Sequence, residues 1–165
     1  MRTWLVFLVF VFSSTVCAGD LTWQSVEAKI AAKFPSAKVI TVKALNARLK
    51  NKESVVLIDV REKKEFQVSH LPDAVHETRA DAIVRSYKTF AGMVVVYCSV
   101  GYRSADMAVQ LTAAGMKRVF NLKGSIFAWA NEGYPLVDKQ GMTRFVHPYN
   151  RHWGQLLQKK YHAYK

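Results

Sequence analysis

Met93-Val94-Val95-Val96-Tyr97-Cys98-Ser99-Val100-Gly101-Tyr102-Arg103-Ser104-Ala105-Asp106-Met107-Ala108 is the stretch on which the fold turns. Its β-branched run predicts a buried strand over 92–97. A tight loop follows, and then a helix over 104–114 that stops at Gly115. Cys98 therefore stands at the end of a strand, facing backbone N–H groups and the positive end of a helix dipole. That setting favours the thiolate, which is the reactive form of cysteine.

Working outward, Val55-Val56-Leu57-Ile58 has the unbroken apolar character of a strand covered on both faces. Val39-Ile40-Thr41 reads as a short strand, with Thr41 as N-cap of a helix over 42–50. A short helix over 62–67, a short strand over 74–76 and a helix over 80–87 follow. Residues 118–121 form another strand. A last core helix over 125–132 is stopped by Gly133 and Pro135. Upstream, Trp23, Val26, Ile30 and Phe34 share one face of a helix over 22–34. Strands alternate with helices, which predicts an α/β sandwich: a mainly parallel central sheet flanked by helices. Such sheets bind ligands at the carboxyl ends of their strands, where Cys98 lies.

The two ends read differently. Arg2, the apolar run Trp4 to Phe12 and the small-residue site Val16-Cys17-Ala18 form the pattern of a signal peptide over 1–18. The apolar run is too short to span a bilayer, which takes about 20 residues. The expected product is periplasmic or secreted, with no stable membrane span after cleavage. Cleavage removes Cys17, one of the two cysteines, and leaves Cys98 alone. A lone cysteine excludes an internal disulfide framework and points to a thiol kept for its chemistry. Residues 19–36 carry the N-terminal helix. Residues 138–165 form a basic, aromatic extension. Pro148 is placed to start a helix there, with Trp153, Leu156, Leu157 and Tyr161 on one face. The extension is expected to pack on the domain; contact with a partner protein or a membrane surface is the alternative. Its histidines, His147, His152 and His162, lack a neighbouring Cys or acidic cluster, so no metal site is expected. The formal net charge of +12 is spread along the chain. With no recognisable module and an export signal, nucleic acid is not the expected partner.

Cys98 to Arg103, read as C-x-x-G-x-R, resembles the active-site loop of the rhodanese family. Asp59-Val60-Arg61, Glu65-Phe66, His70-Leu71-Pro72 and Ala74 resemble that family's D-V-R-x-x-x-E-F-x-x-G-H-I-x-G-A signature. Gly124, Trp129 and Gly133-Tyr134-Pro135 resemble its closing segment. Ser69, Asp73 and Ser125 stand where the pattern has glycine. The resemblance covers roughly residues 37–137. It implies a rhodanese-like three-layer sandwich and a sulfurtransferase that needs no cofactor. The implied substrates are a small anionic sulfur donor such as thiosulfate and a thiol or cyanide acceptor.

The residues allow the same chemistry. A thiolate attacks the outer sulfur of a donor and holds it as a persulfide, and converging amides stabilise that anion. Cys98 is the nucleophile. Gly101 permits the tight turn, and Ser99 and Ser104 add hydroxyls, Ser104 also as a helix-start cap. Arg103 either binds an anionic donor or braces the loop through an acidic partner. Val100 and Tyr102 are expected to be exposed and to shape acceptor choice. Asp59 ends the neighbouring strand and orients the loop. Arg61 and Glu65, four residues apart, are expected to pair. His70 reads as a scaffold histidine and Trp129 as core. The rival readings are a non-catalytic or sulfur-carrier module and a cysteine phosphatase. The phosphatase loop resembles C-x5-R, one residue longer than the Cys98–Arg103 spacing here.

Overall fold

The computed structural model describes residues 21–164. In chain order the elements are α1 (Trp23–Lys33), β1 (Val39–Thr41), α2 (Val42–Lys50), β2 (Val55–Asp59), α3 (Lys63–Val68), β3 (Val75–His76), α4 (Ala80–Tyr87), β4 (Met93–Tyr97), α5 (Tyr102–Ala113), β5 (Val119–Lys123), α6 (Ser125–Asn131), and a hairpin of β6 (Leu136–Asp138) and β7 (Gly141–Thr143). Five strands make one sheet in the order β1-β5-β4-β2-β3, every pair parallel. The antiparallel β6–β7 hairpin stands apart from it.

The β4 strand is buried at all five positions because it has a neighbour on each side and helices on both faces. Its side chains alternate. Met93, Val95 and Tyr97 join a core with Leu45 of α2, with Ile126, Phe127 and Trp129 of α6, and with Val26 of α1. Val94 and Val96 join a second core with Ile83 of α4 and Met107, Ala108 and Leu111 of α5. The expected three-layer α/β sandwich is the result. Thr41 caps α2 as read, its hydroxyl accepting from the Ala44 N–H at 3.1 Å.

The C-terminal extension departs from the reading. Among its described residues no α-helix forms; two single 3-10 turns, Trp153–Leu156 and Lys159–Tyr161, take its place. Gly154 sits inside the first, and an extended Leu157-Gln158 separates the two, so no continuous helical face exists. Side-chain bonds replace the missing helix. Asn131 donates to the Leu156 carbonyl at 2.8 Å and accepts from the Gln158 N–H at 2.9 Å. Val146, Leu156 and Leu157 enter the first core, so the extension does pack on the domain.

Leu157 is 2 % exposed and Met142, at the hairpin, 73 %. Leu157→Ala is therefore expected to lose about 2–5 kcal/mol of unfolding free energy, and Met142→Ser to stay within about 0.5 kcal/mol. Urea unfolding checks both; a harmless Leu157→Ala would mean that the extension is not part of the core.

Candidate active site

Cys98 is the first residue past β4, and the loop it opens turns into α5 at Tyr102. The turn needs Gly101, whose φ of 108° lies in the left-handed region. In this turn the Gly101 N–H points back at the Cys98 sulfur, 3.2 Å from Sγ. The amides of Tyr102, Arg103 and Ser104 open α5 and have no preceding helical carbonyl to bond. The Ser104 hydroxyl lies 3.5 Å from Sγ, but 2.6 Å from Asn121 Oδ1, its nearer acceptor. The Asn121 amide is oriented by its own donation to the Gly101 carbonyl at 3.0 Å. Cys98 is 1 % exposed and touches the second core, yet its sulfur faces polar groups. Burial pushes the thiol up. The Arg103 charge and the donors of Ser104 and Gly101 outweigh burial and bring it below its ordinary value.

Arg103 is held as a brace. Its Nη1 and Nη2 donate to Glu65 Oε2 and Oε1, each at 2.9 Å, and Nη2 also donates to Ser99 Oγ at 3.0 Å. The Ser99 hydroxyl donates to Glu65 Oε1 at 2.8 Å, and the Glu62 N–H to Glu65 Oε2 at 3.0 Å. Burial pushes the Glu65 carboxyl up, but its bonds and charge pairing with Arg103, with Glu62 and Ser99 added, hold it below the usual range.

Arg61 does not pair with Glu65. It precedes α3, so the two share no helix face, and its guanidinium folds back on Asp59, with Nη2 to Oδ2 at 2.6 Å and both side chains fully buried. Nη2 also donates to the Ser69 carbonyl at 2.6 Å. This pair ties the end of β2 to the Ser69 carbonyl at the end of α3, and none of its hydrogen bonds goes to the Cys98 loop. Ser104 is not the cap of α5; Gly101 is, and Ser104 sits in the first turn with its side chain toward Asn121. Val100 and Tyr102 are not exposed. Val100 is buried in the first core, and Tyr102 is half-buried with its ring edge-on to Phe34, the residue that caps the end of α1, centroids 5.1 Å apart. The N-terminal helix covers that side of the loop. His70 and Trp129 are scaffold as read: His70 stacks on Phe66, and Trp129 donates to the Pro135 carbonyl at 2.8 Å.

Three site residues escaped the sequence reading. Asn121 is a polar side chain buried in an apolar strand, which was its signal. Ser125, at a position where the family pattern has glycine, has a left-handed φ of 49°, and its hydroxyl accepts the Cys98 N–H at 3.1 Å while donating to the Leu122 carbonyl at 3.1 Å. Asp73 has the same kind of left-handed backbone, φ 60°, whereas Ser69 is extended and needs no glycine. Tyr149 comes from the extension and places its ring over the Arg103 guanidinium, 4.9 Å from Cζ to the ring centroid.

Residues 41–132 match the model of the rhodanese-like domain family. The chain belongs to that family. A sulfurtransferase from Allochromatium vinosum is 35 % identical over 103 residues, covering 62 % of this chain and 96 % of that protein. The Escherichia coli K12 protein YibN, itself uncharacterised, is 30 % identical over 138 residues, 81 % of this chain and 86 % of that one. Among solved structures, a thiosulfate sulfurtransferase from Pseudomonas aeruginosa shares the fold, with a TM-score of 0.60 at 18 % identity, over 81 % of this chain and 26 % of that one. The rhodanese-like match spans residues 41–132, so α1 and the extension lie outside it.

The lowered Glu65 carboxyl sets a pH dependence. A carboxylate depressed in the folded state adds stability above its ordinary titration range and loses it as pH falls through roughly 4 and below. Glu65→Gln is expected to cost roughly 2–3 kcal/mol at pH 7, the Arg103 side being partly screened by solvent. The gap to the unmodified protein should shrink at pH 3. Urea unfolding at both pH values reads it, and a constant gap would remove Glu65 as the origin.

Proposed function

We propose that this chain is a sulfurtransferase that moves a sulfane sulfur from a small anionic donor, such as thiosulfate, to a thiol or cyanide acceptor through a Cys98 persulfide. The observation that carries the reading is the cradle itself: one sulfur, faced by the Gly101 N–H, beside an arginine fixed by a buried carboxylate. Family membership and the sulfurtransferase relative support the reaction class.

The steps balance without outside electrons. The Cys98 thiolate attacks the outer sulfur of thiosulfate; an S–S bond forms as the donor's own S–S bond breaks, and its electron pair leaves with sulfite. The persulfide anion then sits where backbone amides can stabilise it. The acceptor attacks the outer sulfur, and the Sγ–S pair returns to Cys98. Arg103 has both terminal nitrogens bonded to Glu65, so its part is to hold the loop and lend field to the sulfur. The near-complete burial of Cys98 favours a slim terminal sulfur over a phosphate ester.

Residues 1–18 lie outside the described residues. Among the described residues no helix is long and apolar enough to cross a membrane. Export with cleavage after Ala18, to a periplasmic or secreted location, is part of the proposal and rests on the leader pattern.

Intact-mass spectrometry of the protein recovered from its host tests both parts. Thiosulfate should add one sulfur to the unmodified protein and none to Cys98→Ser, which keeps its fold but loses transfer to cyanide. The same spectrum should show a chain starting at Gly19. Full activity in Cys98→Ser would overturn the mechanism, and a mass retaining residues 1–18 would overturn the cleavage.

A further inference from the structure

Tyr149 is a non-glycine residue in the left-handed region, with φ 63°. Side chains other than Gly, Asn and Asp avoid that region, and where a bulky one adopts it the surroundings must impose it. They do so here. The Tyr149 N–H donates to His147 Nδ1 at 3.0 Å, and the Asn150 N–H to the Pro148 carbonyl at 2.8 Å. Burial keeps the His147 imidazole below its ordinary value, which leaves Nδ1 free to accept. Val146 anchors the segment in the core and bonds to Tyr161 and Ala163 through its backbone. On the far side, the Gly154 and Trp153 amides donate to Asn150.

This turn delivers a ring to one place. Arg103 uses its edge for Glu65 and Ser99, and the Tyr149 ring takes its face. Hydrogen bonds cannot act on that face, whereas a ring quadrupole can. The Arg103 side chain is 33 % exposed and would otherwise have room to swing outward. The charged groups around it are Glu65 on α3 and Cys98 at the loop's start, with Lys64 nearby against Tyr149.

We propose that Tyr149 is a positioning residue for Cys98: its ring clamps the Arg103 guanidinium against Glu65 and Ser99, so the C-terminal extension helps set the geometry of the sulfur cradle. As a statement about catalysis this rests on the sulfur-transfer reading; as a statement about the thiol it does not.

The test compares Tyr149→Asn with Tyr149→Phe in the full chain. Asn accepts the left-handed backbone but removes the ring, and Phe keeps the ring with no backbone advantage. Alkylation of Cys98 by iodoacetamide is followed against pH, resolved by peptide mass spectrometry and expressed as a fraction of the high-pH plateau, which divides out access. Tyr149→Asn should lower the fraction at pH 7 by about threefold, the scale of a partly exposed cation–π contact, and Tyr149→Phe should restore it. Equal profiles for all three proteins would overturn the proposal, as would a loss in Tyr149→Phe equal to that in Tyr149→Asn. Should Tyr149→Asn melt early, the Arg103→Gln background decides, because lysine would keep a cation under the ring. There the comparison of Tyr149→Phe with the unmodified ring should show no further change, and Tyr149→Leu, read in both backgrounds, should lower the fraction only where Arg103 is present. A loss that is the same in both backgrounds would overturn the clamp. A clamp confirmed by alkylation in a protein that gains no sulfur would sink the sulfur-transfer reading and leave Tyr149's role intact.

Discussion

The Glu65 carboxylate accepts four hydrogen bonds from three separate segments: the Glu62 N–H at the start of its own helix, the Ser99 hydroxyl in the loop, and two guanidinium nitrogens of Arg103. The carboxylate is wholly buried, so its charge has no water to fall back on. Any movement of the loop that breaks these bonds leaves an unpaired charge inside the protein. The loop is thereby fixed between α3 and α5, and the fixed loop is what holds the Gly101 amide over the sulfur. The Asp59–Arg61 pair does similar work one layer back, tying the end of β2 to the Ser69 carbonyl.

A buried sulfur held this way is pulled in two directions. Burial among Val96, Met107 and Ala108 disfavours charge, and the nearby guanidinium and N–H groups favour it. The second influence wins because the donors are pre-oriented by the helix start and need no rearrangement when the charge appears. A sulfur site of this kind can be small. Its side walls come from outside the segment matched to the family: Phe34, just past α1, against Tyr102, and Tyr149 of the extension against Arg103.

Much of this was legible in the sequence because it is local. The all-apolar run of β4, the Thr41 cap and the spacing over Ala80–Tyr87 each depend on residues within one element. The place of Cys98 at a strand end followed from the strand itself. Where the structure departs from the sequence, tertiary partnership is the main reason and short or interrupted local patterns the other. Spacing alone paired Arg61 with Glu65, but Glu65's partner lies 38 residues away in Arg103, and Arg61 turned back on a nearer carboxylate. Val100 looked like a loop tip and proved to be core, because α1 and α6 close over it. The hairpin β6–β7 passed unread, its strands being three residues each and its alternation too short to register. The extension has an amphipathic look, but Gly154 and the side-chain bonds from Asn131 win over helical periodicity.

The central claim is that the cradle makes Cys98 acidic through Arg103 and the converging donors despite its burial. The most direct measurement is the Cys98 Cβ resonance of isotopically labelled protein, followed by NMR against pH in the unmodified chain and in Arg103→Gln. The account predicts ionisation below the free-cysteine value of about 8.5 in the unmodified protein and a rise when Arg103 is replaced. Ionisation at or above that value in the unmodified chain, or a titration indifferent to Arg103, would contradict it.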